Sequence, residues 1–565
     1  MFAACIVVLV PLTALSAPPT SLPAPAEVDR IKPEERIPTP RYIDGGESAI
    51  TGEAPPATVP EASKDIHFVL QGVDIQGSTV FQQEELQNIY LPYIDHEVTL
   101  DIAWNFAREV TQLYTKQGYF LSHAYVPAQN IKNGNITIKI VEGYIGEVEL
   151  KNADSDIDPE NYVLTEYIDI IKAQRPIKSS EVESFLLKLN DLPGMSFRAV
   201  LSAAEIKDEA NMGGVRLTLI AGDEPGRAVI NFDNYGSRFL GPYEAALTYQ
   251  TSLFPLLNTT ISGLTSLPAE ELRYGTIVQS AVIAPDITLE LIGSYTQAYP
   301  GYNLEEFDID STSKSLGLSL NYQLIRQRDE NVNLKLTFDG RNTDSEILET
   351  TLTRDRVRAL RASIILNSID EWNGYNNGSL TVSRGLEIFG SSDKGDLNLS
   401  RGDATPDFTK VEMSLSRVQW IDNDWSLFVS ASGQLSNQPL FSSEEYGYGG
   451  QAFGRAYDLS EITGEDGISG LAELRLNGLT YMDIINLIPY IFYDIGVVRN
   501  QESSSTIAST TSGSSTGFGV RFSTDFHLSG NIGLAFPLTL PAATPIYGYE
   551  NGHNPRLLLQ ISQEF

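Results

Sequence analysis

The chain has 565 residues, with 39 lysines and arginines against 73 aspartates and glutamates, which gives a formal net charge of −34. A charge this negative argues against a nucleic-acid-binding protein, because phosphate backbones bind basic surfaces. One cysteine and five histidines leave little material for metal ligation, so we expect no metal and no other cofactor. The apolar share of 42% can build hydrophobic cores, which excludes a largely disordered chain.

The chain starts with a short apolar run, Phe2–Ala17, that ends in small residues. Residues 1–17 are therefore predicted to form a secretory signal peptide, although the first charged residue is Glu27 and a positive start is missing. Cleavage there would remove Cys5, which excludes both a disulfide framework and a thiol nucleophile. Residues 18–65 are rich in proline and are predicted to form an extended linker. No later apolar run is long enough for a membrane helix, so an exported chain of this kind is soluble or a β-barrel.

From residue 66 to residue 224, short strands are mixed with helical periods. Apolar residues at helical spacing predict helices over Gln82–Tyr90 and Leu100–Gln117. Alternation predicts strands over Phe68–Ile75, Ser122–Val126 and Asn135–Val141, in the order β-α-α-β-β. The same order recurs in Gly146–Lys151, Asn161–Ile171, Ser179–Leu189, Phe197–Glu205 and Val215–Ala221. The sequence therefore predicts one module of about 80 residues written twice, over 66–143 and 144–224.

From residue 225 to residue 565, helical periods vanish and alternating strands lie between polar turns. Leu316, Leu318 and Leu320, for example, alternate with small or polar residues. A soluble β-sandwich also alternates, but it forms domains of about 100 residues with the apolar face inward. At about ten residues per strand, this segment has room for roughly 16 strands of a membrane barrel, apolar outside and polar inside.

Few residues are arranged for catalysis. The histidines have no zinc-ligand spacing and no nucleotide P-loop occurs. The glycine-rich run Gly447-Tyr448-Gly449-Gly450 has no helix after it, unlike a dinucleotide fingerprint. We therefore predict that the chain is not an enzyme.

One pair of charged residues stands out in the barrel segment. Alternation in Leu487–Val497 places Asp494 opposite the apolar face, hence in the lumen if that face meets lipid. A carboxylate inside a walled channel needs a cationic partner. Arg455 in the loop segment 449–458 could supply it. Alternatively, Arg455 is a solvated loop charge and Asp494 pairs with a strand residue such as Arg475.

Five motifs in chain order resemble the two-partner secretion transporters, that is, the hemolysin-secretion and filamentous-hemagglutinin-secretion proteins of the Omp85 superfamily. The stretch Gly118–Ile145, with Ala124-Tyr125-Val126-Pro127, resembles their first POTRA domain. The others are Leu192-Pro193-Gly194, Asp233-Asn234-Tyr235-Gly236-Ser237, Phe453-Gly454-Arg455-Ala456-Tyr457 and Phe492-Tyr493-Asp494-Ile495-Gly496. Ala456 stands where the family usually has glycine.

The resemblance implies two periplasmic POTRA domains, 66–143 and 144–224, before a 16-stranded β-barrel, 225–565, in a Gram-negative outer membrane. It also implies that the loop near 440–467 folds into the lumen and that Arg455 pairs with Asp494 there. The motif residues carried over are Gly449, Gly450, Phe453, Gly454 and Tyr457 in the loop, Phe492 and Gly496 in the strand, and the C-terminal aromatic Phe565. A plug helix, which the family often has, would need Val28–Arg41, but Pro33, Pro38 and Pro40 interrupt it.

The function implied by the resemblance is translocation of a large hemolysin- or adhesin-like partner exoprotein without ATP. The edge of a POTRA sheet could accept a strand of the unfolded client, and the lumen would conduct it. Further partners would be outer-membrane lipid and the barrel-assembly machinery, with no nucleic acid. An Omp85-type barrel-assembly factor is the main alternative, although such proteins usually carry more POTRA domains. A passive porin and a secreted enzyme are the other two.

Overall fold

The computed structural model describes residues 21–30, 59–131, 133–152, 158, 161–203, 212–502, 509–540 and 554–565. The predicted signal peptide and residues 31–58 of the predicted linker lie outside these ranges. Within them, no helix combines the length and the apolar character needed to span a membrane.

The first module is a small sheet covered by two helices. Its elements are β1 (His67–Val69), β2 (Gly72–Gln76), α1 (Gln83–Tyr90), β3 (Glu97–Thr99), α2 (Ile102–Lys116), β4 (His123–Tyr125) and β5 (Asn135–Val141). The strand order is β2-β5-β4, and β1 pairs with β3 beside it. Helix α1 starts where the Glu85 carboxylate accepts the Gln82 N–H at 3.0 Å, which satisfies an otherwise free donor. The predicted β-α-α-β-β order is confirmed, with the β1–β3 pair as an addition.

The second module repeats this arrangement. It contains β6 (Tyr144–Asn152), α3 (Tyr162–Ala173), α4 (Ser179–Asn190), β7 (Met195–Ala203) and β8 (Gly214–Asp223), with strand order β6-β8-β7. The Asn161 side chain begins α3 by accepting the Val163 N–H at 3.1 Å. Aliphatic and aromatic residues of both helices pack on the sheet and form one buried cluster. Both modules therefore fold as the sequence predicts.

The remaining chain closes into a barrel of sixteen strands. The first eight are β9 (Arg227–Asp233), β10 (Glu244–Phe254), β11 (Leu257–Ser266), β12 (Leu272–Ala284), β13 (Ile287–Ala298), β14 (Ile309–Arg326), β15 (Glu330–Ile347) and β16 (Thr350–Ile369). Then follow β17 (Gly374–Gly385), β18 (Thr409–Trp420), β19 (Trp425–Ser436), two short loop strands β20 (Tyr446–Tyr448) and β21 (Ile462–Gly464), and β22 (Asp466–Leu476). The last four are β24 (Ile485–Asn500), β25 (Ser509–Thr524), β26 (Leu528–Pro537) and β27 (Arg556–Glu564). The three-residue β23 (Leu479–Tyr481) pairs with β24 beyond the end of β22 and is not counted among the sixteen.

The barrel wall is apolar outside and polar inside, as the alternation predicts. Leu316, Leu318 and Leu320 of β14 are exposed on the outside, whereas Ser319 between them and Ser313 just before them are buried. The wall closes where β27 pairs with β9. Phe565 extends this pairing, since its N–H donates to the Ala228 carbonyl at 2.9 Å. No sheet edge is left open to lipid at this seam.

The second module contacts one end of the barrel, which we call the near end. Arg326 at the end of β14 donates to both carboxylate oxygens of Asp191, at 2.6 and 3.0 Å. Lys188 of α4 lies 2.9 Å from the carboxylate of Asp286 in the β12–β13 turn. Leu256, in another near-end turn, belongs to the buried core of the module. The opposite end is the far end.

Residues 21–30, which we call the N-terminal segment, lie at the far end of the barrel. Two 3₁₀ turns, Ala24–Ala26 and Val28–Arg30, bury Ala26 and Val28 against aliphatic and aromatic residues of the first barrel strands and loops. The Ser237 hydroxyl donates to the Pro25 carbonyl at 2.7 Å. The prediction of an extended linker is therefore wrong for this segment, because the barrel covers its apolar side chains. Of the segment Val28–Arg41 that a plug helix would need, residues 31–41 lie outside the described residues.

Candidate functional site

The connection between β19 and β22 folds from the far end into the barrel. We call residues 437–465 the lumen loop. Its residues Tyr448, Arg455 and Tyr457 are buried, as are the strand residues that face them. Because the loop runs inside the barrel, its side chains lie beside charged groups and hydrogen-bond donors of the wall that need partners when they are buried.

The turn of the lumen loop depends on glycine. Gly449, Gly450 and Gly454 all have positive φ, at 127°, 107° and 71°. A Cβ at Gly454 would lie 2.9 Å from both the Gly449 Cα and the Tyr448 ring. The Gly450 N–H donates to the Gly454 carbonyl at 3.3 Å and closes the turn. Other residues would be strained here and would also clash.

The centre of the site is Glu473, a lumen-facing residue of β22 whose side chain is 0% exposed. Its carboxylate meets three guanidinium groups. Arg455 of the lumen loop donates at 2.6 Å, Arg475 at 2.7 Å, and Arg521 of β25 at 2.5 and 3.0 Å. We call these four residues the Glu473 cluster. It ties the loop to two strands of the wall through charge-assisted hydrogen bonds.

Aromatic rings line the Glu473 cluster. The Arg455 guanidinium carbon lies 4.6 Å from the centre of the Phe492 ring, and that of Arg521 lies 4.2 Å from the Tyr490 ring. Arg475 lies 4.4 Å from the Phe428 ring in the same way. Each cation thus has a ring face as well as a carboxylate, which fixes its orientation.

Asp494 of β24 is buried beside this cluster and binds the lumen loop differently. Its Oδ1 accepts from the Tyr448 hydroxyl at 2.9 Å and from the Ser515 hydroxyl at 2.7 Å. Its Oδ2 accepts the backbone N–H of Arg455 at 3.3 Å. Burial and the Asp494 carboxylate raise the pKa of Tyr448 above its usual value, so the hydroxyl stays protonated and donates.

The predicted Arg455–Asp494 pair is therefore close in space but is not an ion pair of side chains. The Arg455 guanidinium donates to Glu473, whereas only the backbone N–H of Arg455 donates to Asp494. The alternative in which Arg475 neutralises Asp494 is also wrong, because Arg475 pairs with Glu473. Neutral hydroxyl donors satisfy Asp494 instead, which leaves the arginines for the carboxylate that they surround.

Tyr448 packs its ring flat against two glycines of the wall. Gly496 and Gly513 are opposite each other in the register of β24 and β25. A Cβ would lie 2.2 Å from the ring at Gly496 and 2.5 Å at Gly513. The ring of Tyr457 is 6.0 Å away, and its hydroxyl donates to the Ser514 carbonyl at 2.7 Å. These contacts explain why the strand motif needs glycine at position 496.

We expect the Gly496→Ala substitution to dislodge Tyr448 and weaken the loop by about 1–3 kcal/mol, as overpacking usually does. The measurement is the temperature at which the folded barrel loses its fast gel migration, together with secretion. Gly317→Ala is the matched control, since a Cβ on that lumen-facing glycine meets its nearest atom at an ordinary 3.7 Å. Equal effects of the two substitutions would contradict the role of the Tyr448 contact.

A second set of ion pairs holds the base of the lumen loop. Glu444 lies 2.7 Å from Arg361 of β16 and 3.0 Å from Lys410 of β18. Burial opposes ionisation of Glu444, but these two cations hold its pKa well below the usual value. Glu445 lies 2.5 Å from Arg30 of the N-terminal segment and also pairs with Arg401. The N-terminal segment and the loop are thus joined through buried charges.

A cavity of about 610 Å³ separates the lumen loop from the wall formed by β17, β18 and β19. Its lining is mostly polar and includes Arg30, Glu412, Gln434 and Glu445. Among the described residues, no group of three or more His, Cys, Asp or Glu side chains is arranged to hold a metal ion. The lumen thus contains a polar cavity bordered by the loop and by Arg30 of the N-terminal segment.

Sequence reasoning missed Glu473 and Tyr448. Glu473 and Arg475 occupy alternate positions of β22 and so share the lumen face, and this spacing could have indicated an acidic partner near Arg455. In the sequence, Tyr448 stands out only as part of the glycine-rich run Gly447–Gly450. Its contact with Asp494 depends on how the loop returns into the lumen, for which the sequence has no local signal.

Comparison with known proteins gives the same picture. Residues 288–520 match the model of the haemolysin secretion/activation protein ShlB/FhaC/HecB family, and residues 68–143 match the ShlB-type POTRA domain. Together the two segments cover more than half of the chain.

Similar proteins are known along almost the whole length. The heme/hemopexin transporter protein HuxB of Haemophilus influenzae strain 86-028NP is 24% identical over 93% of this chain and 92% of the relative. The outer membrane transporter CdiB of Dickeya dadantii is 22% identical over 86% of each chain. The solved structure of CdiB from Escherichia coli has the same fold, with a TM-score of 0.69, 17% identity, and coverage of 92% of this chain and 93% of that one. The chain belongs to this family of outer-membrane transporters, whose POTRA domains are periplasmic.

Proposed function

We propose that this transporter exports one large partner exoprotein across the outer membrane and that the lumen loop sets the conformation of the route. The observation that carries this proposal is the Glu473 cluster, which ties a loop from the far end to strands β22 and β25 inside the lumen. A passive porin needs no periplasmic modules and no such tie. The partner would be hemolysin- or adhesin-like, as the resemblance implies.

The periplasmic modules would capture the client while it is unfolded. In the second module, β7 pairs with β8 and forms one edge of the described sheet. Val200 of β7 is exposed at this edge. An extended client segment could add a strand there, with main-chain hydrogen bonds that need no particular client sequence. Because this module also contacts the near end of the barrel, a captured segment would lie beside the entrance.

The lumen would then conduct the extended client. A strand needs a passage wide enough for its backbone and side chains, and the cavity of about 610 Å³ beside the loop supplies part of that space. The rest is occupied by the loop and the N-terminal segment, so one of them moves during transport. Folding of the client outside the cell would prevent it from slipping back, so that transport of the client would be one-way. We propose that this cycle needs no catalytic site and no nucleic-acid partner.

Lipid and the assembly machinery would be the remaining partners. The exposed leucines of β14 face outward in the band where acyl chains lie. Phe565, with 68% of its surface exposed, ends the last strand and is available for recognition during insertion of the barrel. Both contacts concern the barrel as a membrane protein and do not distinguish transport from assembly.

Deletion of the gene tests the proposal against the barrel-assembly alternative. We expect one large exoprotein to disappear from the culture supernatant while the other outer-membrane barrels stay at normal levels. The full-length chain supplied in trans should restore the exoprotein. Depletion of many barrels would instead identify an assembly factor, and unchanged proteomes would exclude both functions.

A further inference from the structure

The outer wall of the barrel carries a group of basic residues just beyond its apolar band. In β16, the outward residues Leu360, Ile364 and Leu366 are exposed and aliphatic. Towards the far end, the next outward residues of the same strand are arginines. The basic patch consists of Arg354, Arg356 and Arg358 of β16, Lys314 of β14 and Arg384 of β17. It stands out in a chain whose net charge is −34.

Strand register shows that these side chains are neighbours on one face. Arg356 is opposite Asn342 of β15, and Asn342 is opposite Lys314 of β14. Arg384 is opposite Leu360. Directly opposite residues of antiparallel strands point to the same side of the sheet. The row of cations therefore borders the row of outward leucines, where the hydrocarbon of the membrane gives way to headgroups.

Arg358 is held in place without a carboxylate. Its stem lies across Gly340 of β15, where a Cβ would come within 3.1 Å of the Arg358 Cδ. Its guanidinium donates to the Asn342 side-chain oxygen at 2.9 Å and to three carbonyl oxygens. No ion pair to Arg358 or Lys314 is formed among the described residues. Neither cation therefore has a carboxylate partner that would compete with an external anion.

Two carboxylates partly offset the other cations. Asp344 of β15 lies 3.0 Å from Arg354 and 2.8 Å from Arg356, and Asp407 lies 3.9 Å from Arg384. The flanking loop also carries the exposed carboxylates of Glu387, Asp393 and Asp396. The positive charge of the patch is therefore concentrated on Arg358 and Lys314, which have no acidic partner among the described residues.

The loop between β17 and β18 adds apolar side chains beside the patch. Its backbone runs along the edge of β16, because the Leu386 N–H donates to the Arg358 carbonyl at 2.9 Å. Phe389 has a left-handed φ of 50° and is 78% exposed. Its ring centre lies 6.1 Å from that of Phe338, an outward residue of the apolar band. In a soluble protein, an exposed phenylalanine ring of this kind would face water without any stabilising contact. At a membrane surface, the same ring would be buried in lipid.

We propose that the basic patch and Phe389 form a binding site for a phosphorylated glycolipid headgroup of the outer leaflet. The far end is the cell-surface end, because the modules at the near end are periplasmic in this family. Guanidinium forks suit phosphate oxygens, and the leucines below them suit the acyl chains of the same molecule. A client protein is a weaker fit, because the patch lies on the lipid side of the wall and not in the lumen.

The test measures binding of a bisphosphorylated glycolipid by the purified full-length chain in detergent. Arg358→Gln combined with Lys314→Gln should weaken binding about tenfold, since basic residues near an anionic surface each contribute measurably. Arg328→Gln is the control, because Arg328 is an exposed arginine at the near end. Retained fast gel migration of each variant shows that the barrel is folded.

Further arms distinguish the possible sources of the signal. The dephosphorylated glycolipid should bind more weakly than the bisphosphorylated form, and Phe389→Ser should weaken both. Inorganic phosphate should compete poorly, because it lacks the acyl chains. The proposal is overturned if the two glycolipids bind equally well or if inorganic phosphate competes fully. It is also overturned if the variant with Arg358→Gln and Lys314→Gln loses secretion but binds the glycolipid as before.

Discussion

Replacing Glu473 with glutamine is expected to stop secretion almost completely and to destabilise the barrel more than any other single change in the lumen. The side chain is 0% exposed and accepts from three arginines at 2.5–2.7 Å. A neutral amide keeps the shape but leaves three guanidinium charges facing one another. Removing one partner from a buried ion pair typically costs about 3–5 kcal/mol.

Two measurements separate the effects of this substitution. The midpoint of chemical denaturation of the purified barrel reports stability, and the amount of exoprotein in the supernatant reports transport. Glu290→Gln is the matched control, because Glu290 is also a lumen carboxylate but faces the single cation Lys335 at 2.8 Å. We expect the control to secrete normally. A Glu473→Gln variant with normal stability and secretion would contradict the role of the Glu473 cluster.

Graded substitutions identify which contact of the loop matters. Arg455→Ala removes the guanidinium from Glu473 but keeps the backbone N–H that reaches Asp494. Asp494→Ala removes the acceptor of Tyr448 and leaves the Glu473 cluster intact. We expect both to lower secretion while the barrel stays inserted. Adding Arg521→Gln to Glu473→Gln should recover part of the stability, because one of the repelling charges is gone.

The sequence predicts the barrel and the two modules well for a physical reason. Outward residues such as Leu316 and Leu318 must meet lipid and the residues between them must meet the lumen, so a period of two persists along the strands. In the modules, the helical spacing in Leu100–Gln117 reflects the buried face of α2, which runs over Ile102–Lys116. Local periodicity determines both structures.

The partners of the lumen loop could not be predicted in the same way. Arg455 had two buried carboxylates within its reach, and the choice of Glu473 over Asp494 follows from the register of β22 and β24. In that register Asp494 is opposite Leu471 and Glu473 is opposite Phe492. The sequence alone does not show which wall residues a side chain of the long lumen loop, residues 437–465, will contact. The motif glycines could be located, but the tyrosine that they accommodate could not.

Deletion of residues 21–30 is expected to increase the ion conductance of the purified protein severalfold in planar bilayers. The N-terminal segment covers the far end of the lumen, with Ala26 and Val28 buried and Arg30 lining the large cavity. Without it, that cavity opens to the cell surface. The loop itself should stay in place, because Glu445 keeps Arg401 and Glu444 keeps Arg361 and Lys410.

Ser237→Ala serves as the control for this deletion, since it removes only the hydrogen bond to the Pro25 carbonyl. We expect its conductance to stay close to that of the unaltered chain. Arg30→Ala should lie between the two, because it breaks the link to Glu445 but leaves the apolar contacts of Val28. If deletion leaves conductance unchanged, the lumen loop alone closes the barrel and the N-terminal segment has no gating role. If conductance rises while the Glu473 cluster variants stay closed, the segment acts as the gate and the loop acts as its support.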